Sequence, residues 1–329
     1  MGGFWGGDER EEPAVLIAIE EHFFEPGWNE VYDPDWHAPR ARKGLIARME
    51  DLGADRIAEM DAAGIDMQVI SHGPPGAQGV RPGAGADWTR RSNDVLAAAV
   101  AAHPDRLAGL ASVPTDDPEA GADELARAVE VLGMKGAVLH TLSAGPTLDD
   151  PRFLPIFARA AELGVPIYLH PADPGPRMMQ GHYAGYSATH PTFVRASWGF
   201  MVEAGTQAMR LVLSGLFDRC PNLQIILGHF GETIPFQLAR IDESLSRDTP
   251  MKNFREVFSR HFHVTTSGFF SDPALACVMA EIGVERILFA VDWPFAGNAA
   301  GADWFRAAPL SDPDRELIAA GNARRLLRL

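Results

Sequence analysis

Short apolar, strand-like runs alternate with helix-period segments along nearly all of the 329 residues, about eight times over and with no linker-like break. The runs fall near 15–20, 66–71, 107–113, 136–140, 166–170, 223–228, 262–266 and 286–291. Helical spacing follows them at 44–63, 88–102, 118–132, 151–163, 199–218, 232–247, 273–282 and 312–327. Strictly alternating units of this kind make parallel strands joined by right-handed crossovers. Eight such units in this length favour an α/β fold closed into a single (β/α)8 TIM-type barrel, spanning 14–329. Residues 1–13, Gly-rich and then charged, read as a flexible leader. The glycine-rich stretch 76–86 and the long aperiodic stretch 171–196 read as loops, the latter long enough to carry function.

Four of the runs stop on a residue that can bind a metal or move a proton. They are Ile17-Ala18-Ile19-Glu20-Glu21-His22, Ile167-Tyr168-Leu169-His170, Ile225-Ile226-Leu227-Gly228-His229 and Leu288-Phe289-Ala290-Val291-Asp292. In a parallel barrel the C-terminal strand ends converge on one mouth, where catalytic groups gather. Glu20 and His22 lie two apart and so share a side of an extended strand, while Glu21 turns away as a structural acceptor. Asp292 ends a hydrophobic run, a costly place for a carboxylate unless it is paired or bound to a metal. With His170 these residues form a mixed nitrogen and oxygen set suited to one divalent ion, Zn, Mn or Mg. His229 is followed three residues later by Glu232, close enough to orient its imidazole. His72 and His140 also end strand runs, as pocket-lining or structural residues. His37, His103, His182, His190, His261 and His263 read as loop or helix-end histidines with surface or packing roles.

Lys and Arg number 29 against 44 Asp and Glu, a net charge of −15. That balance argues against nucleic acid or an anionic membrane as partner, since phosphate binding needs a clustered basic surface. Cys220 and Cys277 have no metal-type spacing and read as free thiols of a cytoplasmic protein. No apolar stretch reaches membrane-spanning length.

The same motifs carry a family resemblance. Hydrolytic members of the amidohydrolase superfamily commonly open on His-x-His, where this chain has Glu20-Glu21-His22. Together with Leu169-His170-Pro171, Leu227-Gly228-His229, Val291-Asp292-Trp293-Pro294-Phe295, Arg240-Ile241-Asp242 and Asn322-Ala323-Arg324-Arg325-Leu326, this resembles the metal-dependent aromatic decarboxylase branch. That branch includes γ-resorcylate, 2,3-dihydroxybenzoate and 5-carboxyvanillate decarboxylases. The resemblance implies nonoxidative release of CO2 from an ortho-hydroxylated aromatic acid, with Glu20, His22, His170 and Asp292 holding the metal. It further implies Asp292, His229 and Glu232 as catalytic groups, Phe200 and Phe295 around the ring, and Arg240 reaching a neighbouring subunit of a homodimer or homotetramer, with His72 a further substrate-binding candidate by its place at a strand end. Relatives often end the second strand on Asn where this chain has His72-Gly73-Pro74-Pro75, and the loop 171–196 also departs from them. The competing reading keeps the metal but activates water, as a lactonase, amidohydrolase or hydratase on a small carboxylated substrate.

Overall fold

The computed structural model describes residues 15–32, 44–141 and 146–329. The leader 1–13 and His37 lie outside the described residues. Eight parallel strands follow in chain order: β1 Ile17–Phe23, β2 Met67–His72, β3 in two pieces (Leu107–Gly109 and Ala111–Ser112), β4 Ala137–His140, β5 Ile167–His170, β6 Ile225–Leu227, β7 Phe262–Thr265 and β8 Ile287–Leu288. Each pairs with the next in parallel register. The ring closes because Glu21 bridges Trp293 in parallel fashion and His22 N donates to Trp293 O at 2.8 Å.

The strands alternate sides, as a pleat requires. Ile17, Ile19, Val69, Ala108, Leu110, Val138, Tyr168, Ile226 and Leu288 fill the barrel interior, and Ala320, Ala323 and Leu327 pack against its base. Their neighbours Ala18, Ile70, Ala111, Leu139, Leu169, Leu227, Val264 and Ile287 face outward into the larger core beneath the helices. This places the last residue of β4 and β5, His140 and His170, on the inner side at the mouth.

Several elements depart from the sequence reading. The expected helix 44–63 is two helices, Leu45–Glu50 and Ala54–Ala63. Asp51 interrupts it by accepting from Gly53 N and Arg56 N, both at 2.8 Å, which starts a new helix. The helix at 199–218 likewise stops at Leu213 and resumes over Leu216–Arg219, because Gly215 takes φ 72°. The stretch 76–86 is no open loop: Gly76–Gly79 forms a 3-10 turn and a helix begins at Gly85. A Cβ at Gly76 would lie 2.4 Å from His140 Nδ1, so glycine permits that approach. Short helical turns at Pro176–Met178, Met179–Tyr183 and Pro191–Val194 order much of 171–196. Helices Phe254–His261 and Asn298–Ala307 are additional to the sequence reading. His263 is buried within β7 rather than placed in a loop.

Candidate active site

A bulge in β1 makes the first pair of site residues possible. Ile17 and Ile19 face the interior, so strict alternation would carry Glu21 inward and Glu20 outward. The register of β1 against β2 shifts between Ala18 and Glu21, and the extra residue turns Glu20 and His22 inward instead. Glu21 is thereby sent to the seam, where it accepts from Val291 N and Trp293 N, each at 2.9 Å. One carboxylate thus pins the two amides that flank Asp292.

Glu20, His22, His170 and Asp292 each offer one ligand atom, and these atoms all lie within 4.8 Å of one another. His22 Nε2 stands 3.1 Å from Asp292 Oδ1, and His170 Nε2 stands 3.3 Å from Glu20 Oε1. The His170 contact tests whether a cation fits. Its Nδ1 faces Pro171 O at 2.7 Å, and a carbonyl can only accept, so Nδ1 bears the proton. In the neutral imidazole Nε2 then presents a lone pair to Glu20 Oε1, a buried oxygen with no hydrogen-bond partner. Two lone pairs at that distance repel unless a cation sits between them, and the donor set suits a divalent ion. The other oxygen, Glu20 Oε2, accepts from the Tyr168 hydroxyl and from Thr265 Oγ1 at 2.9 Å. Gly228 leaves space for this carboxylate, since a Cβ there would lie 3.1 Å from both of its oxygens.

His229 enters from an unusual backbone. His229, Phe230, Gly231, Glu232 and Thr233 have φ of 49°, 55°, 81°, 51° and 66°, one left-handed helical turn. Left-handed helix costs about 1–2 kcal/mol for each non-glycine residue, strain of the kind that functional sites retain. The turn places Glu232 Oε1 2.8 Å from His229 Nδ1 while His229 Nε2 faces Glu20 Oε1 at 3.8 Å. Burial opposes charge on this imidazole, but Glu232, Glu20 and Asp292 outweigh it and push it up to about 10. Burial and then the Glu20 charge push Asp292 up to about 7 against the pull of His229 and His170. Burial also pulls His22 down to about 4. For Glu20, burial works against the charge, yet His229, His170 and His22 hold it well below the usual carboxylate range. Two carboxyls of one cluster are thus driven apart, one firmly ionised and one ready to carry a proton. Asp292 and His229 keep 17% and 23% of their side chains exposed, whereas the Glu20 and His22 side chains are at 1% and 0%.

The remaining expected residues divide. Phe295 sets its ring edge-on to His22 with centroids 5.6 Å apart, and Phe200 lies half-buried at the start of helix Gly199–Leu213. Arg240 is exposed on helix Ile234–Asp248. His72 is not an open substrate contact. It is fully buried against Phe24 and Trp88, with Nδ1 on Gly73 O at 2.7 Å and Nε2 3.0 Å from Glu25. His140 stacks edge-on to His170 at 5.0 Å, and neither of its ring nitrogens has a hydrogen-bond partner.

Tyr168, Thr265 and Arg56 were not among the sequence candidates. Tyr168 could have been found, because it sits two residues before His170 on the same inner face. Arg56 carries no such signal. Fully buried, it donates to His22 O at 2.6 Å and Asp51 O at 2.8 Å, and its guanidinium lies 4.0 Å over the Trp293 ring. Arg56→Met should lower unfolding stability by about 1–3 kcal/mol in urea titration, since it leaves the buried His22 carbonyl and Gln68 Oε1 without their donor. A loss well under about 1 kcal/mol would show that this donor is dispensable.

Comparisons with known proteins agree with this geometry. The amidohydrolase family model matches residues 26–329. γ-Resorcylate decarboxylase of Rhizobium sp. (strain MTP-10005) is 38% identical over 327 residues, covering 95% of this chain and 98% of its own. The crystal structure of a 2,6-dihydroxybenzoate decarboxylase complexed with 2,6-dihydroxybenzoate superposes with TM-score 0.86 at 36% identity, covering 96% of this chain and 99% of that one. A dihydroxybenzoic acid decarboxylase from Polaromonas sp. JS666, with bound manganese and the inhibitor 2-nitroresorcinol, superposes with TM-score 0.85 at 35% identity, covering 96% and 97%.

Proposed function

Because the chain belongs to the amidohydrolase family, we propose as its function the metal-dependent, nonoxidative decarboxylation of an aromatic acid with a hydroxyl ortho to the carboxylate. It is a carboxy-lyase of the aromatic decarboxylase branch and uses one divalent metal ion, as its manganese-bound relatives do. The observation that carries the residue assignment is the buried donor set Glu20, His22, His170 and Asp292, in which Asp292 alone couples a raised pKa with an exposed edge. These four would hold the ion.

Bound there, the ion supplies Lewis-acid neutralisation of the substrate's carboxylate and ortho-oxygen charge. Phe295, edge-on to His22, and Phe200 would hold the ring. Asp292 gives its proton to the ring carbon that bears the carboxylate, and the ring loses aromaticity. The bond to the carboxylate carbon then breaks, CO2 departs, and the bonding pair returns to restore the ring. Asp292, left ionised, recovers its proton from solvent beside His229, whose imidazolium Glu232 keeps charged and oriented. Proton and charge balance, and no oxidant takes part.

Arg240, exposed at one helical turn from the 76% exposed Phe236, supports a self-association face through which Arg240 meets a neighbouring copy's pocket in a homodimer or homotetramer. The thiols Cys220 and Cys277 are free, which supports a cytoplasmic location. Among the described residues no helix is long and apolar enough to cross a membrane.

The testing experiment is a manganese-loaded screen across mono- and dihydroxybenzoates with detection of evolved CO2. Release should be confined to acids with an ortho hydroxyl, and meta- and para-hydroxybenzoate should stay intact. Opening of lactones with no CO2 from any acid would overturn the reading in favour of water activation.

A further inference from the structure

The opposite end of the barrel, where the strands begin, carries a second charged cavity. It measures about 410 Å³ and is lined by Gln224, His263, Glu285, Arg286, Arg325 and Arg328 among others. The three arginines line it from the 3-10 turn Val284–Arg286 just before β8 and from the C-terminal helix Asn322–Leu327 and its following residue.

Their hydrogen bonds go to neutral acceptors. Arg286 Nη1 donates to Gln224 Oε1 at 3.0 Å and faces His263 Nε2 at 3.5 Å. Arg325 Nη2 donates to Asn322 Oδ1 at 2.8 Å and Glu285 O at 3.2 Å. Arg328 donates to Gly164 O at 3.0 Å and Leu163 O at 3.5 Å. Among the described residues no carboxylate forms an ion pair with any of the three, and Glu285, the one acid lining the cavity, gives Arg325 its backbone carbonyl and acts on Arg286 by charge without contact. In a chain of net charge −15, three guanidinium groups against one carboxylate are a local inversion of sign.

His263 is the second, independent sign. It is 5% exposed and paired in register with Ile226 of the barrel interior. Burial, and then Arg286 and Arg325, hold its imidazole down to about 3, so it is neutral. With Nε2 turned to a guanidinium, Nδ1 carries the proton, and that donor is buried without a partner. Packing alone would favour an aliphatic residue there, since an unpaired buried donor costs about 1–3 kcal/mol.

We propose that this cavity is a binding site for a small, doubly charged oxyanion of the phosphate class, held by Arg286, Arg325 and Arg328. Planar guanidinium forks match phosphate oxygens in geometry and strength, and three cations less one carboxylate match its charge. The space admits either free inorganic phosphate or the phosphate group of a small phosphorylated molecule. The site lies at the far end of the barrel from the metal cluster and does not depend on the decarboxylation reading.

Isothermal titration of the metal-loaded enzyme with inorganic phosphate, glycerol 3-phosphate, acetate and chloride at matched ionic strength tests this. One saturable site is expected for a phosphate, weakened at least tenfold by Arg286→Gln and by Arg328→Gln. Arg328 is exposed and bonds only two carbonyls, so its variant keeps the test open if the Arg286 variant folds poorly. Tighter binding of glycerol 3-phosphate than of phosphate assigns the site to a phosphorylated molecule, and the reverse assigns it to the free ion. Acetate binding as tightly as phosphate, no heat above chloride, or phosphate affinity unchanged in the variants (the ion then sitting on the metal) would each overturn the proposal.

Discussion

Asp292→Asn is expected to lower kcat for CO2 release by about 10³-fold, within the 10²–10⁴-fold range that a positioned proton donor contributes, while substrate affinity changes less than threefold. The substitution suits this position for a structural reason. Asp292 sits at φ 71°, a left-handed conformation that asparagine tolerates better than other replacements. A larger side chain would also press on Gly268, whose φ of 57° brings it close to Asp292 Oδ2. Asparagine keeps the shape and an oxygen toward His22 and the metal, and removes the transferable proton together with the carboxylate charge. Metal content and substrate binding, measured on the same preparation, separate proton delivery from loss of the ion. Full metal occupancy with kcat within tenfold of the parent would remove Asp292 from the proton-transfer step. Raised KM at unchanged kcat would place it in ground-state binding instead.

Much of the barrel could be read from the sequence because its signals are short-range. Apolar runs ending in Glu20, His22, His170 and Asp292 already implied strand ends at a common mouth, and the structure brings these four together. The helices at 254–261 and 298–307 escaped because their apolar residues are few and flanked by charge. Phe254 and Phe258 are four apart, yet Arg255, Glu256 and Arg260 surround them and blur the period. The β1 bulge leaves no local mark, because alternation from Ile17 and Ile19 predicts the wrong carboxylate inside. The left-handed turn at 229–233 is equally hidden. Only Gly231 among its residues prefers such angles, and the rest adopt them because packing between helix Gly199–Leu213 and β7 holds them there. Arg56 is invisible for a third reason: its partners His22 and Trp293 are remote in sequence and meet it only when the ring closes.

Removal of the metal should abolish CO2 release and also lower thermal stability, because the cluster is electrostatically frustrated without it. Burial and the Glu20 charge raise the proton affinity of Asp292, and His170 turns a lone pair toward an oxygen that has no donor. A divalent cation at that point relieves both repulsions, so the folded state binds it and the unfolded chain, which scatters the four ligands, does not. At a free metal concentration 100 times Kd this linkage stabilises the fold by about 2.7 kcal/mol. Dialysis against a chelator should therefore drop Tm by several degrees, and added manganese should restore both Tm and activity. Glu20→Gln should reproduce the loss in protein never exposed to chelator. The variant keeps an oxygen but forfeits the charge, and its amide would confront the donors Tyr168 and Thr265. Metal content should fall to less than about a tenth of the parent's under equal loading, a change of at least 1.4 kcal/mol in binding. A chelated enzyme that still released CO2 at the parent rate, or a Glu20→Gln variant that bound metal as tightly, would show that these residues do not hold the working ion. Tm that falls while activity persists would confine the cluster to a structural role.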